Sequence, residues 1–316
     1  MSNIEVRRFG RSDVTSTGFG AGFAKYAGFE ASLATVRRAL ELGIRYFDTS
    51  PLYRAGVSQA VLGEALEGRS EPHFLATKIG HFAEARFFRS VDAMHAQFRE
   101  NLRLLRRDSV DLLQIHEADW DNWWMDRTEV GHCKLFDLEG SFDFANAPVI
   151  QFLREMKARG LCRHIGITGN NARHLGRLIR ELDGLNSVLV AYNYQPLNVS
   201  AREHILPAAL AKNTAVLVAG LYTFIFTIPK DWRTEGTYFG PRADEQLAEL
   251  HKLQKACGIP LVELSARFVA ADERITSLLV GACHPAEIEQ NVAAIAKGRL
   301  PDDINAQMER IASIGA

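Results

Sequence analysis

The chain lacks the features that mark membrane, secreted and nucleic-acid-binding proteins. Its 316 residues contain no run apolar enough to cross a bilayer, and the N-terminus is polar, without the apolar region of a signal peptide. The 37 Lys and Arg residues balance 38 Asp and Glu residues to a formal net charge of -1. Because the basic residues form no stripe, neither nucleic acid nor a membrane is expected as a partner.

Cysteine is also scarce. The four cysteines lie far apart, without the CxxC or Cys/His spacing of a metal site, so no metal is expected. They are Cys133, Cys162, Cys257 and Cys283. A reducing cytoplasm is the expected location. With 47% hydrophobic residues the chain can bury a large core, and small-molecule chemistry is the expected activity.

Short apolar or β-branched runs alternate with longer amphipathic segments rich in Ala, Leu and Arg, which is typical of repeated βα units around a parallel sheet. The predicted strands are 16–20, 46–49, 74–78, 111–116, 164–168, 187–191, 215–219 and 277–281. The predicted helices include 30–42, 91–105, 147–159, 172–182, 202–211 and 242–257. Eight strands with helical crossovers favour an α/β fold of the (β/α)8 TIM barrel type.

A doubly wound open sheet is the alternative, but it usually carries GxGxxG after its first strand. Here the first strand runs into Gly18-Phe-Gly-Ala-Gly22 with no later glycine in register. Residues 4–14 predict two short strands joined by a turn, an N-terminal β-hairpin that caps the barrel floor. No repeat or composition break divides the chain, so residues 1–316 are expected to form a single domain.

Two connections are long, about 117–146 and 221–240, and both are rich in aromatic residues. A disordered linker would be poor in large apolar groups, so we expect the first to be an ordered flap over a pocket, with a structural plug as the alternative. The loop aromatics predicted to line a substrate pocket are Trp120, Trp123, Trp124, Tyr222 and Trp232.

Four side chains with proton chemistry follow neighbouring strands. Asp48 follows the second predicted strand, with Tyr53 five residues on, while Lys78 ends the third and His116 ends the fourth. Neighbouring parallel strands bring their carboxyl ends onto one rim, so these four residues, the polar cluster, are expected to converge. Asp48 and Lys78 would each be costly to bury alone, and pairing removes much of that cost.

These segments resemble the aldo-keto reductase family over residues 3–296. The segments that carry the resemblance are, in order, Gly43-Ile-Arg-Tyr-Phe-Asp-Thr-Ser-Pro-Leu-Tyr53 with Leu62-Gly-Glu-Ala-Leu66, then Ala76-Thr-Lys78, His116, Gly160-Leu-Cys-Arg-His-Ile-Gly-Ile-Thr168 and Pro285-Ala-Glu-Ile-Glu-Gln-Asn291. The resemblance implies a (β/α)8 barrel that binds an extended nicotinamide cofactor without a Rossmann fold. It also implies that the polar cluster is the catalytic tetrad.

The chemistry of these residue types agrees with those roles. Tyr53 would give or take the proton, and a Lys78 ammonium held by Asp48 is expected to lower the pKa of the phenol from about 10. His116 would donate to the substrate oxygen. The enzyme would interconvert a carbonyl and an alcohol on a small polar, possibly sugar-like, substrate. The alternatives are a non-catalytic nucleotide-sensing subunit and a cofactor-recycling epimerase.

The resemblance also implies cofactor-binding positions, which are Gly20, Ala21, Thr168, Asn170, Ala219, Gly220, Leu221, Gly281, Cys283, His284, Glu287, Gln290 and Asn291. Several positions depart from the family. Gly169 replaces the usual asparagine, Leu189 the usual glutamine and Ala219 a stacking tyrosine. Thr168 and Asn170 are expected to take the place of the family residues that hold the carboxamide of the nicotinamide. Tyr222 would either stack on the nicotinamide or have an ordinary packing role.

The expected cofactor is NAD(H) or NADP(H), with NAD(H) favoured. The last of the matching segments opens a helix, and helix N-termini bind anions. Where NADP-binding relatives usually place a basic residue, this chain has Glu287. A carboxylate repels a 2'-phosphate but can accept hydrogen bonds from free ribose hydroxyls. The only other expected partner is the small-molecule substrate, and the sequence predicts no particular oligomeric state.

Overall fold

Eight parallel strands close into a barrel in the computed structural model, which describes residues 4–20, 22, 28–126, 133–228 and 239–314. The barrel strands are β3 (Thr17–Gly20), β4 (Tyr46–Asp48), β5 (Phe74–Ile79), β6 (Val110–Ile115), β7 (Cys162–Gly169), β8 (Ser187–Ala191), β9 (Ala215–Ala219) and β10 (Ser277–Val280). β10 pairs in parallel with both β9 and β3, which closes the ring. The predicted (β/α)8 barrel is confirmed.

Most residues of the barrel strands are buried because both faces of the strands are covered. All six residues of β5 are buried, for example. The inner face packs a small cluster that includes Tyr46, Phe74, Leu112 and Leu217, and the outer face packs against the helices. Fully burying a side chain of this size contributes about 1.5–3 kcal/mol.

The predicted hairpin covers the floor of the barrel. It consists of β1 (Val6–Phe9) and β2 (Ser12–Thr15), which pair antiparallel. Gly10 allows the tight turn between them because its φ is +56°, a conformation that favours glycine. Phe9 and Val14 are buried in the inner cluster, and Ser12 Oγ lies 2.8 Å from a ring nitrogen of His164.

The helices surround the barrel. They are α1 (Phe29–Glu41), α2 (Val57–Leu66), α3 (Val91–Leu105), α4 (Pro148–Ala158), α5 (Ala172–Glu181), α6 (Ala201–His204), α7 (Leu206–Lys212), α8 (Ala243–Cys257), α9 (Leu261–Ala270), α10 (Pro285–Ala296) and α11 (Asp302–Ser313). The predicted helix 202–211 is in fact two, α6 and α7, separated at Ile205. Pro207 explains the break, because it has no N–H to continue the hydrogen-bond ladder of α6.

Both long loops follow carboxyl ends of strands. The first contains short 3-10 helices at Asp121–Trp123 and Phe144–Asn146 and a β-bridge between Trp120 and Leu135, while residues 127–132 lie outside the described part. The second loop is described only before 229 and from 239 onward. Within the described ranges, no helix is both long and apolar enough to cross a bilayer.

Candidate active site

The four residues of the polar cluster meet at the carboxyl end of the barrel. Asp48 is the last residue of β4, Lys78 lies near the end of β5, and His116 directly follows β6. The Lys78 ammonium donates to the Asp48 carboxylate, to the Thr49 carbonyl at 2.8 Å and to the Tyr53 phenol oxygen at 3.4 Å. Asp48 and Lys78 are 2% and 1% exposed, so the ion pair is shielded from water.

The Lys78 ammonium stays charged in spite of its burial. Burial lowers the pKa of Lys78, but interactions with the Asp48 carboxylate and the Tyr53 phenol raise it by more, so the net pKa lies above its ordinary value. The second oxygen of Asp48 accepts a hydrogen bond from Gln114 Nε2 at 2.8 Å. Gln114 was not predicted as a site residue. Its signal in the sequence is its position two residues before His116 on a strand, which turns both side chains to the same face.

The pKa of Tyr53 differs from the expectation. Burial raises the pKa of the phenol above its ordinary 10.0, and although Lys78 lowers it, the net direction is upward. The lysine therefore acts in the expected sense, but the desolvation of the phenolate outweighs it. The phenol holds its proton at neutral pH, which is the form that a proton donor needs.

His116 is neutral in this environment. Burial is the largest cause that lowers its pKa well below 6.5, and the neighbouring His81 ring and Lys78 ammonium lower it further. Its Nδ1 lies 2.9 Å from Ser50 Oγ. The rings of His116 and Tyr53 meet edge to face, with centroids 5.8 Å apart. Ser50 was not singled out from the sequence, because a serine in a turn has many ordinary explanations.

A cavity of about 970 Å³ runs from the polar cluster to the start of α10. All four residues of the polar cluster line it. The predicted cofactor residues on its wall are Gly20, Thr168, Asn170, Ala219, Gly220, Leu221, Gly281, Cys283 and Glu287. Ala21 lies outside the described residues. His284, Gln290 and Asn291 are not on the wall, although Asn291 Nδ2 supports the neighbouring segment by donating to the Gly281 carbonyl at 3.1 Å.

The cavity has room for an extended ligand because its wall carries little side chain at several points. A Cβ added at Gly22 would lie 3.8 Å from the Tyr53 ring and would fill the space beside the phenol. A Cβ at Gly281 would face the Gly20 carbonyl at the same distance. Ala219, where relatives were expected to carry tyrosine, also leaves this wall open.

The structure explains why residue 169 is glycine. A Cβ there would lie 2.8 Å from the Asp119 carboxyl carbon, closer than real contacts allow. Asp119 is 1% exposed, and burial raises the pKa of its carboxyl to about 7. It accepts a hydrogen bond from Asn170 N at 2.7 Å, and Asn170 Nδ2 donates to Glu117 Oε1 at 2.6 Å. Neither Asp119 nor Glu117 was predicted from the sequence.

The tryptophans of the first loop do not line the cavity. Trp123 and Trp124 are 0% and 6% exposed, and their indole N–H groups donate to backbone carbonyls, among them those of His116 and Ala118. The Trp120 ring packs against His81 at 4.9 Å. These three side chains therefore help to hold the loop in place, while Trp232 lies outside the described residues.

Tyr222 and Glu287 do lie on the cavity wall. The Tyr222 hydroxyl has no hydrogen-bond partner among the described residues, and burial raises the pKa of this phenol. Glu287, in the first turn of α10, accepts a hydrogen bond from Cys283 N at 2.6 Å. Its carboxylate therefore already pairs with an N–H group just before the helix, at the end of a helix that attracts anions.

Similar sequences identify the family to which the chain belongs. A model of the aldo/keto reductase family matches residues 17–313. L-Galactose dehydrogenase of Arabidopsis thaliana is 29% identical over 309 residues, covering 93% of this chain and 89% of that protein. Pyridoxal 4-dehydrogenase of Microbacterium luteolum is 25% identical, with 95% of each chain covered.

The fold has a close structural counterpart as well. The holo form of an aldo-keto reductase from Bacillus halodurans superposes with a TM-score of 0.76 at 21% identity, covering 98% of this chain and 97% of that one. The family match spans most of the chain, and the barrel is the one that match implies. The protein is a member of the aldo/keto reductase family and an oxidoreductase.

Proposed function

We propose that the protein uses NAD(P)(H) to interconvert an alcohol and a carbonyl on a small polar, sugar-like substrate, with Tyr53 as general acid and base. The observation that carries this proposal is the contact of one buried ammonium, Lys78, with both the Asp48 carboxylate and the Tyr53 phenol. This arrangement lies in a cavity large enough for a dinucleotide and a substrate together. The bound nicotinamide would supply or accept the hydride.

The protein's own residues would transfer the proton. In reduction, the Tyr53 phenol donates its proton to the oxygen that gains negative charge as the carbonyl is reduced. Lys78 stabilises the resulting phenolate, and Asp48 holds Lys78 in place and charged. Neutral His116 donates a hydrogen bond to the same oxygen and orients it. In oxidation, the phenolate form of Tyr53 removes the hydroxyl proton of the alcohol.

The cofactor pocket supports NAD(H) in preference to NADP(H). The Glu287 carboxylate lies on the cavity wall at the start of α10 and already accepts the Cys283 N–H. A second anion at this point, such as a 2'-phosphate, would meet electrostatic repulsion and one fewer free donor. Ribose hydroxyls can instead donate to the carboxylate. Thr168 and Asn170 are the residues of this wall that would hold the nicotinamide amide.

The relatives' names support a sugar-like substrate and the oxidative direction. L-Galactose and pyridoxal are both small hydroxylated aldehydes, and both relatives are named as dehydrogenases. Absorbance at about 340 nm, where reduced nicotinamide absorbs, would test the proposal with NAD⁺ or NADP⁺ and a panel of aldoses, pyridoxal, aryl alcohols and aliphatic alcohols. We expect NAD⁺ reduction with at least one aldose.

The same assay separates the alternatives. A nucleotide sensor would bind NAD(H) and reduce or oxidise nothing in the panel. An epimerase would convert one sugar into another without a net change at 340 nm, which sugar chromatography would detect. Either result would contradict the proposed net redox reaction.

A further inference from the structure

Ser50 and His116 form a buried hydrogen bond whose proton can be assigned. Ser50 lies in the turn after β4 and is 0% exposed. Its Oγ is 2.9 Å from His116 Nδ1, a distance that fits either atom as donor. Which atom donates decides which nitrogen of His116 carries the ring proton, and so whether His116 can donate to a substrate.

The remaining hydrogen bonds of Ser50 decide this point. The Leu52 N–H donates to Ser50 Oγ at 3.1 Å and occupies one of its lone pairs. The hydroxyl's own proton then needs an acceptor as well, because buried polar hydrogens are nearly always hydrogen-bonded. Among the described contacts of Ser50 Oγ, His116 Nδ1 is the acceptor within reach. A proton on Nδ1 would leave the Ser50 hydroxyl proton without a partner.

The neutral state of His116 completes the assignment. Its pKa lies well below 6.5, so the ring carries a single proton at neutral pH. If Nδ1 accepts from Ser50, that proton is on Nε2, on the other side of the ring. His116 lines the cavity, so Nε2–H is the donor that remains for the substrate oxygen.

We propose that Ser50 is a positioning residue that holds His116 as the Nε2–H tautomer, ready to donate to the reacting oxygen of the substrate. The value of this tautomer for catalysis rests on the proposed function, whereas the tautomer itself does not. Ser50 also accepts the Tyr53 N–H through its carbonyl oxygen at 3.1 Å. Ser50 therefore contacts the ring of His116 and the backbone of Tyr53, the two residues that would meet the substrate oxygen.

Nitrogen NMR of the full-length protein labelled with 15N-histidine tests the assignment without any substrate. The His116 signals are identified by their loss in His116→Asn. We expect a protonated Nε2 and an unprotonated Nδ1 in the wild type at neutral pH. Ser50→Ala should populate the other tautomer and reduce turnover by about tenfold to a hundredfold, with unchanged cofactor affinity.

Two further variants are the controls. Ser50→Thr keeps a hydroxyl and should keep both the tautomer and most of the turnover. Ser58→Ala removes another buried hydroxyl of the same region, one that bonds to Thr49 Oγ1 at 2.7 Å, and should leave the His116 tautomer unchanged.

A proton on Nδ1 of His116 in the wild type would overturn the proposal, and so would an unchanged tautomer and turnover in Ser50→Ala. If Ser50→Ala does not fold, the wild-type spectrum still decides the tautomer. An Nε2–H tautomer that is lost in Ser50→Ala, in a protein that turns over no redox substrate, would support the role of Ser50 and contradict the proposed function.

Discussion

The Lys78 ammonium lies 3.4 Å from the Tyr53 phenol oxygen and 4.9 Å from the centre of the Tyr53 ring. The same ammonium donates to Asp48, which is also held by Gln114. The phenol that faces the cavity is therefore linked to a buried carboxylate through one positive charge.

Breaking the buried ion pair should destabilise the fold strongly. Asp48→Asn leaves the Lys78 ammonium without its counter-charge, and Lys78→Met leaves the Asp48 carboxylate without one, so each should cost about 3–5 kcal/mol. The double variant should cost less than the sum of the two, because neither charge remains. Urea unfolding of all four proteins measures this coupling.

An ion pair on the surface provides the control for these stability measurements. Glu100 and Arg103 form an ion pair whose side chains are 52% and 69% exposed. Glu100→Gln should not change the unfolding free energy measurably, since exposed pairs contribute little. Single variants of Asp48 and Lys78 as stable as Glu100→Gln would show that the buried pair does not support the fold.

Oxidative turnover should rise with pH through the neutral and alkaline range. Oxidation needs the phenolate, and the pKa of Tyr53 lies above 10.0, so the active form grows as protons are removed. His116 adds no titration there because its pKa lies well below 6.5. Lys78→Met removes the charge that lowers the phenol pKa, so the rising limb should move to higher pH. A pH profile of kcat/KM for the wild type and Lys78→Met measures this shift. A rising limb at the same pH in both proteins would show that Lys78 does not affect the pKa of Tyr53.

Asp119 should make the protein less stable as pH rises from about 4 to about 7. Its folded pKa of about 7 exceeds its ordinary 3.8, so in this window the folded state binds a proton that the unfolded state has lost. With about 1.4 kcal/mol for each pKa unit, ionised Asp119 costs roughly 4 kcal/mol above that window.

Asp119→Asn should remove that dependence. Relative to the wild type, its unfolding free energy should increase as pH rises across the window, as urea unfolding at several pH values would show. Asp302→Asn, whose side chain is 94% exposed in the wild type, is the matched control and should give no such increase. An equal pH dependence in wild type and Asp119→Asn would mean that Asp119 is not held protonated by burial.

Glu287→Arg should shift the cofactor preference towards NADP(H). The change replaces a repulsive charge near the expected 2'-phosphate with an attractive one. Losing the repulsion and gaining the attraction each contribute about 1 kcal/mol, so the cofactor preference should shift by about tenfold or more. The ratio of kcat/KM values for NAD⁺ and NADP⁺ measures it. Glu289→Arg is the control, because Glu289 lies on the same helix but bonds to Arg38 of α1 at 2.6 Å. Equal shifts in both variants would show a general charge effect and not a contact with the ribose.

The barrel and its strand ends could be predicted because buried parallel strands are continuous apolar runs. The meeting of Asp48, Lys78 and His116 follows from that topology alone. What the sequence could not show depends on which way a side chain turns. The aromatic composition of its loop predicts that Trp123 lines the pocket, but its indole ring is buried and donates to backbone carbonyls.

The same limit applies to the polar residues around the site. Asp119 and Gly169 are 50 positions apart, and only the fold shows that the carboxyl lies where a side chain at 169 would be. Ser50 is an ordinary turn residue until His116 is placed beside it. The rise in the pKa of Tyr53 was also beyond sequence reasoning, because the extent of burial sets it.

Substitution of the phenol is the most direct test of the proposed mechanism. Turnover of wild type and Tyr53→Phe, with NAD⁺ and the substrate used fastest by the wild type, should be compared alongside the cofactor Kd from fluorescence titration. Tyr53→Phe should lose roughly 10²- to 10⁴-fold in turnover, because only the general acid and base is removed, while the cofactor Kd stays nearly unchanged. Near-normal turnover in Tyr53→Phe would contradict the role of Tyr53 as proton donor and acceptor.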